Sequence, residues 1–112
     1  MNATTAQGIA QSMRGVVTQG SAGLIAGSRA NVGGKTGTAQ RANGDPDSWF
    51  LSMAPDGQGQ TPQWVVVVQR ENGDEGLFQA PVADCIYLNM PGQTPLPNVD
   101  DGNFYPRYHC AP

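Results

Sequence analysis

"GGKTGTAQ", residues 33–40, is the stretch on which the reading of this chain turns. A lysine set among glycines and threonines belongs either to a loop that wraps a phosphate or to a strand that lines a site. The phosphate loop has the pattern G-x-x-x-x-G-K-[ST], so with Gly34-Lys35-Thr36 at its end residue 29 should be glycine, and it is arginine. That loop also needs a helix directly behind it, so that backbone N–H groups and the helix dipole meet the phosphates. Here Thr38-Ala39-Gln40-Arg41-Ala42 runs on into Asn43-Gly44, with no helical apolar stripe and a turn signal at its end. A strand is the better reading. Side chains alternate along it, which puts Lys35 and Gly37 on one face and Thr36 and Thr38 on the other. Lysine then offers a fixed charge, glycine a place for close approach, and the two hydroxyls a way to hold a carboxylate.

Working outward, the strand is expected over residues 31–40. "RANGDPD" supplies a turn with Asn43-Gly44 and Asp45-Pro46 as breakers. "SWFLSMA", 48–54, is a second strand in which Trp49, Leu51 and Met53 alternate with Ser48, Phe50 and Ser52. After "PDGQGQTP" comes "QWVVVVQR", 63–70, whose continuous β-branched run predicts a strand buried on both faces. Short spacers make neighbouring strands antiparallel hairpins.

Helices flank the strands. Over 3–19 the residues Ile9, Met13, Val16 and Val17 form one stripe, Asn2 or Thr4 can cap the start, and Gly20 stands at the stop. Over 77–90 a second stripe runs through Phe78, Val82, Ile86 and Met90, with Cys85, Leu88 and Asn89 flanking. Pro81 fits if the regular helix begins near Ala80, since proline suits the first turn. From Pro91 the chain carries five prolines and little apolar periodicity, which predicts an extended or disordered tail. The expected fold class is α+β, with an N-terminal helix, a three-stranded antiparallel sheet, a C-terminal helix and an extended tail. The expected division is a domain part at 1–90 and a tail at 91–112. Two helices cover one face of such a sheet. The run Val65–Val68 asks for cover on the other face too, which points to a missing part of the domain.

Composition narrows the function. Of the 112 residues, 13% are charged, about half the usual share, and the net charge is −3 with no basic stripe, which excludes a nucleic-acid surface. No apolar run reaches the ~18 residues of a membrane helix, and no signal-peptide core stands near Met1. The two cysteines, Cys85 and Cys110, and the one histidine, His109, do not make a zinc site. The simplest reading of the pair is a buried thiol at Cys85 and a loose one at Cys110, and a disulfide between them requires the tail to fold back. Trp49 and Trp64 read as core aromatics. Asp45, Asp47, Glu71, Asp74 and Glu75 read as solvated turn charges rather than metal ligands or an acid pair.

Lys35-Thr36-Gly37-Thr38-Ala39-Gln40 resembles the third motif, K-T-G, of the penicillin-recognising serine acyl-transferases. The surroundings extend the likeness. "MRGVVTQGSAG", 13–23, is similar to the helix and glycine turn that precede this motif in penicillin-binding proteins. "SWFLSMAP", 48–55, resembles their W-F-x-x-x-A-P strand, "WVVVVQRENGDEG" the next strand and "APVADCIYLN" the closing helix. The likeness covers roughly 8–90, and the ordered set is far more specific than a lone K-T-G. The T-A-Q continuation and the Ala54-Pro55 ending favour transpeptidases over class D β-lactamases and their sensor relatives. Within transpeptidases, the resemblance leans to the monofunctional class B type over the bifunctional class A type.

The resemblance implies the C-terminal part of a D,D-transpeptidase that cross-links peptidoglycan peptides and is acylated by β-lactams. Lys35 would organise the proton network. Thr36 and Thr38 would bind the carboxylate of the substrate peptide or the β-lactam. The backbone N–H of Thr38 would form half of the oxyanion hole, and Gly37 would keep the cleft open. The family's nucleophile lies in S-x-x-K, and no serine here is followed three residues later by lysine, since Lys35 is the only lysine. The S-x-N motif is absent too, because Asn31 falls one residue late after Ser28. The chain alone is therefore expected to be inactive. The implied partners are a stem peptide or β-lactam and the N-terminal part of the same domain, with no cofactor, no metal and no nucleic acid. The implied place of the parent protein is extracytoplasmic, in the periplasm or at the outer face of the cytoplasmic membrane. The alternatives are a fragment of a class D β-lactamase or β-lactam sensor, and a non-catalytic module that adds a peptide to a sheet edge.

Overall fold

A computed structural model describes residues 1–28, 30–73 and 75–90. The order is helix α1 (Ala3–Thr18), a 3₁₀ turn (Gly23–Ile25), strands β1 (Gly33–Ala39), β2 (Asp47–Ala54) and β3 (Trp64–Arg70), a second 3₁₀ turn (Gly76–Gln79) and helix α2 (Ala80–Leu88). This is the expected α+β arrangement of a helix, three antiparallel strands and a closing helix. The tail from Pro91 onward, with Cys110 and His109, lies outside the described residues.

Local chemistry sets the element ends. Asn2 caps α1 by accepting from the Thr5 N–H at 2.8 Å, the usual service of a short polar side chain to orphan amides. The first strand and the second pair antiparallel, as do the second and third, in the order β1-β2-β3. Pro81 stands in the first turn of α2, where its missing N–H costs nothing.

Sheet order corrects one expectation. The β-branched run lies on β3, an edge strand, and β2 is central. Val66 and Val68 pack against the core, whereas Val65 is 75% and Val67 51% exposed. Alternation explains this: among the described residues, one face of β3 meets the core and the other does not.

That covered face carries the core. Phe50 is fully buried on it, packed with Val17, Ile25, Val32, Tyr87, Leu88 and several alanines. Gly34 lies beneath the Phe50 ring, where an added Cβ would come within 2.4 Å of it. The stripe of α2 is also corrected. Its buried side is Ala80, Ala83, Asp84, Tyr87 and Leu88, while Phe78, Val82 and Ile86 face outward. The helix docks through the side that brings the Tyr87 hydroxyl to the sheet. That hydroxyl accepts from the Val66 N–H at 3.0 Å and bonds Ser52 Oγ at 2.9 Å. Ser52 Oγ in turn donates to the Val66 carbonyl at 2.8 Å, so the proton between the two hydroxyls comes from Tyr87. Burial raises the Tyr87 pKa, and its hydrogen bonds with Ser52 and Val66 oppose the rise.

Two side-chain anchors hold the connections. Arg14 on α1 pairs with Asp56, which is nearly buried in the turn after β2 and also accepts from the Gln58 N–H at 2.9 Å. Ser28 bonds Asp84 of α2 and accepts from the Ala30 N–H at 3.1 Å, which ties the segment entering β1 to the last helix.

Cys85 is half-buried on the flank of α2 and is disulfide-bonded. This replaces the expected buried free thiol.

Candidate active site on the outer strand

The segment 33–39 is a strand, and it is the outer one. Its register places Lys35 opposite Leu51 and Gly37 opposite Trp49 on one face. Thr36 lies opposite Phe50 and Thr38 opposite Ser48 on the other face. No described strand pairs with its second edge. Its first residues are held firmly: Gly33 is buried against Met13 and Arg14 of α1, and Gly34 against Phe50.

The site residues separate accordingly. Lys35 is exposed, and its Nζ donates to the Thr36 carbonyl at 2.6 Å along the strand edge. Gly37 is half-buried, and among the described residues beyond its chain neighbours an added Cβ would meet only the Trp49 Cβ, at 3.6 Å. On the other face, Thr36 Oγ1 lies 2.7 Å from Ser21 Oγ. Thr38 Oγ1 accepts a long bond of 3.4 Å from the Gly76 N–H. Gly76 itself sits on the strand backbone, where an added Cβ would come within 2.5 Å of the Gly37 carbonyl and 2.6 Å of the Trp49 carbonyl. Glycine is required there by that approach.

Ser21, Thr36, Thr38, Gln40, Pro46, Glu75, Gly76 and Leu77 together line an open cleft of about 430 Å³. Sequence reasoning placed Thr36 and Thr38 here and missed Ser21 and Gly76. Both stand in glycine-containing turns, "GSAG" and "DEGL", whose only signal is a turn. Their contacts come from chain segments remote in sequence.

Other expectations change. Trp49 is 37% and Trp64 41% exposed, so neither is a core aromatic. Trp49 points to the uncovered sheet face, and Trp64 stands at the rim of the covered one beside Ala54. Asp47 is the first residue of β2 and is not a solvated turn charge: Arg41 Nε reaches it at 2.7 Å. The hydrogen bond from Arg41 holds the Asp47 carboxyl below the usual carboxylate range and raises the Arg41 pKa in return. Among the described residues no three histidine, cysteine or acidic side chains stand together as a metal site. Asp74 lies outside the described residues.

A family model of the penicillin binding protein transpeptidase domain matches residues 1–88. The chain belongs to that family. Among solved structures it is similar to the D,D-transpeptidase domain of a peptidoglycan glycosyltransferase from Eggerthella lenta, at 40% identity and a TM-score of 0.60. The likeness covers 72% of this chain and 18% of that one, so the chain spans less than a fifth of its neighbour's length. That neighbour's description joins transpeptidase to glycosyltransferase, so it lends no support to the monofunctional type. No curated protein matches the chain. No helix among the described residues is long and apolar enough to cross a membrane.

Proposed function

We propose that this chain carries the K-T-G part of a serine D,D-transpeptidase domain that cross-links peptidoglycan stem peptides and is acylated by β-lactams. One observation carries the reading: in a chain matched to the family over 1–88, the K-T-G segment forms an outer strand with an edge no described strand uses. Such an edge offers N–H and C=O groups to an extended peptide. Lys35 supplies a positive charge to the proton network around the nucleophile. Thr36 and Thr38 hold the carboxylate, the Thr38 N–H forms half of the oxyanion hole, and Gly37 keeps the approach open. Acyl transfer needs a serine beside a base. The sequence holds no S-x-x-K, so that serine belongs to the N-terminal part of the same domain. An extracytoplasmic setting is supported by the disulfide at Cys85, because such bonds persist in oxidising compartments.

The test is acylation by a fluorescent penicillin. The chain alone forms no covalent adduct, and a full-length domain forms one at an upstream serine. There Lys35→Ala lowers the acylation rate about 10²-fold, as expected for losing a preorganised electrostatic group. A stable acyl-serine on this polypeptide, or a Lys35→Ala variant that acylates like its parent, defeats the reading. A β-lactamase or sensor with the same strand differs in its deacylation rate. A non-catalytic peptide-binding module is supported by the same unused edge and by the missing S-x-x-K, and it shows peptide binding without acylation in any context.

A further inference from the structure

We infer that Ser21 is a positioning residue of this site, one that sets the Thr36 hydroxyl for a ligand carboxylate. The inference rests on the proposed role of Thr36 and Thr38 in holding that carboxylate. Ser21 comes from the turn after α1, and its Oγ meets Thr36 Oγ1 at 2.7 Å, the usual separation of two bonded hydroxyls. That contact joins residues fifteen apart, so it is a property of the folded chain.

Proton counting gives the contact its meaning. The Ser21–Thr36 pair has two hydroxyl protons and spends one between its oxygens, so one remains to donate. Thr38 Oγ1 accepts from the Gly76 N–H, which leaves its own proton free as well. Both donors open into the cleft of about 430 Å³. Among the described residues no lysine or arginine lines that cleft, and Lys35 stands on the opposite face of β1. A ligand charge there is held by hydroxyl donors, which suits a carboxylate. Glu75 is exposed on the wall shared with Gly76 and Leu77. Its charge repels a carboxylate, so the ligand's acid seats at the Ser21 end. Without Ser21 the Thr36 side chain regains its rotamer freedom, and the donor pair loses its fixed direction.

The experiment is an amide-shift titration of the isotopically labelled chain with N-acetyl-D-alanine, with its neutral amide as control. The acid shifts the Ser21, Thr36, Thr38 and Gly76 signals, and the amide does not. Ser21→Ala removes an exposed hydroxyl and leaves the melting temperature unchanged. It weakens binding of the acid roughly threefold to tenfold, the worth of one ordinary hydrogen bond. The Thr36 response shrinks while that of Thr38 persists, and Ser21→Thr restores both. If Ser21→Ala binds like the parent while Thr36→Val weakens, the Ser21 inference falls and the carboxylate reading stands. If Thr36→Val and Thr38→Val both bind like the parent, the carboxylate reading falls and takes the inference with it. A parent chain that does not respond to the acid also overturns the inference, since it holds that the hydroxyls are already set within this chain.

Discussion

The two faces of the sheet differ in a way that hydropathy alone would reverse. The covered face of β2 carries Ser48, Phe50, Ser52 and Ala54, and the opposite face carries the exposed Trp49 and Leu51 and, toward α1, the half-buried Met53. β3 adds two valines to each face, Val66 and Val68 to the covered one and Val65 and Val67 to the other, so it is β2 that makes the open face the more apolar of the two. Ser52 is accommodated on the covered side by its bonds to Tyr87 and Val66, whereas Ser48 Oγ is buried there with no hydrogen-bond partner among the described residues. A buried hydroxyl with partners costs little, whereas an exposed valine on an edge strand leaves apolar area in water. Among the described residues nothing covers Val65 and Val67, and the chain spans 18% of its structural neighbour.

The strongest challenge to this comparison is a pair of adjacent substitutions on β2. Phe50→Ala should cost about 3–5 kcal/mol, the usual range for emptying a buried aromatic site. Leu51→Ala, one residue on but on the open face, should cost under about 1 kcal/mol. Urea denaturation of both variants decides the matter, and equal losses would mean that the open face is covered in solution.

Tyr87→Phe tests the polar hook on the covered side. It removes the acceptor of the Val66 N–H and should cost about 1–3 kcal/mol. It should also change the alkaline limb. The folded pKa of Tyr87 lies above its ordinary value of 10.0, so its contribution is complete below that pH and is lost as pH rises through the folded value. Melting temperatures taken from neutral pH to above pH 10 should fall more steeply for the parent than for the variant.

On the open face, replacing both Val65 and Val67 by threonine should leave the melting temperature nearly unchanged. Binding of a hydrophobic dye, and any self-association seen by sedimentation, should drop. Undiminished dye binding would place the sticky surface elsewhere, with the exposed Phe78 of the second 3₁₀ turn and Val82 and Ile86 of α2 as the next suspects.

The smallest effect belongs to the exposed Arg41–Asp47 pair at the far end of β2. Asp47 has a lowered pKa, so its contribution is present above the ordinary carboxylate value and fades as pH falls through the folded one. Asp47→Asn should lower the melting temperature slightly at neutral pH, with the difference vanishing at low pH and in high salt.

The sequence by itself determined the elements and their order. Asn-Gly and Asp-Pro breakers, short spacers and β-branched runs mark three hairpin-linked strands, and the caps Asn2 and Pro81 mark the helix starts, because these signals act within a few residues. It also determined which side chains of 35–38 share a face, since alternation along a strand needs no tertiary knowledge. Only the tertiary structure decided which face is covered, which strand is central, and which side of α2 is buried. Those choices depend on partners far along the chain: Tyr87 reaching Ser52, Asp84 reaching Ser28, and Gly76 seated on the backbone of Gly37. The same holds for Ser21, whose place beside Thr36 is set by the turn of the chain after α1 and by no local pattern. Packing and hydrogen-bond satisfaction are settled between remote segments, so a local reading that ranks residues by hydropathy placed Trp49 inside and the physics placed it out.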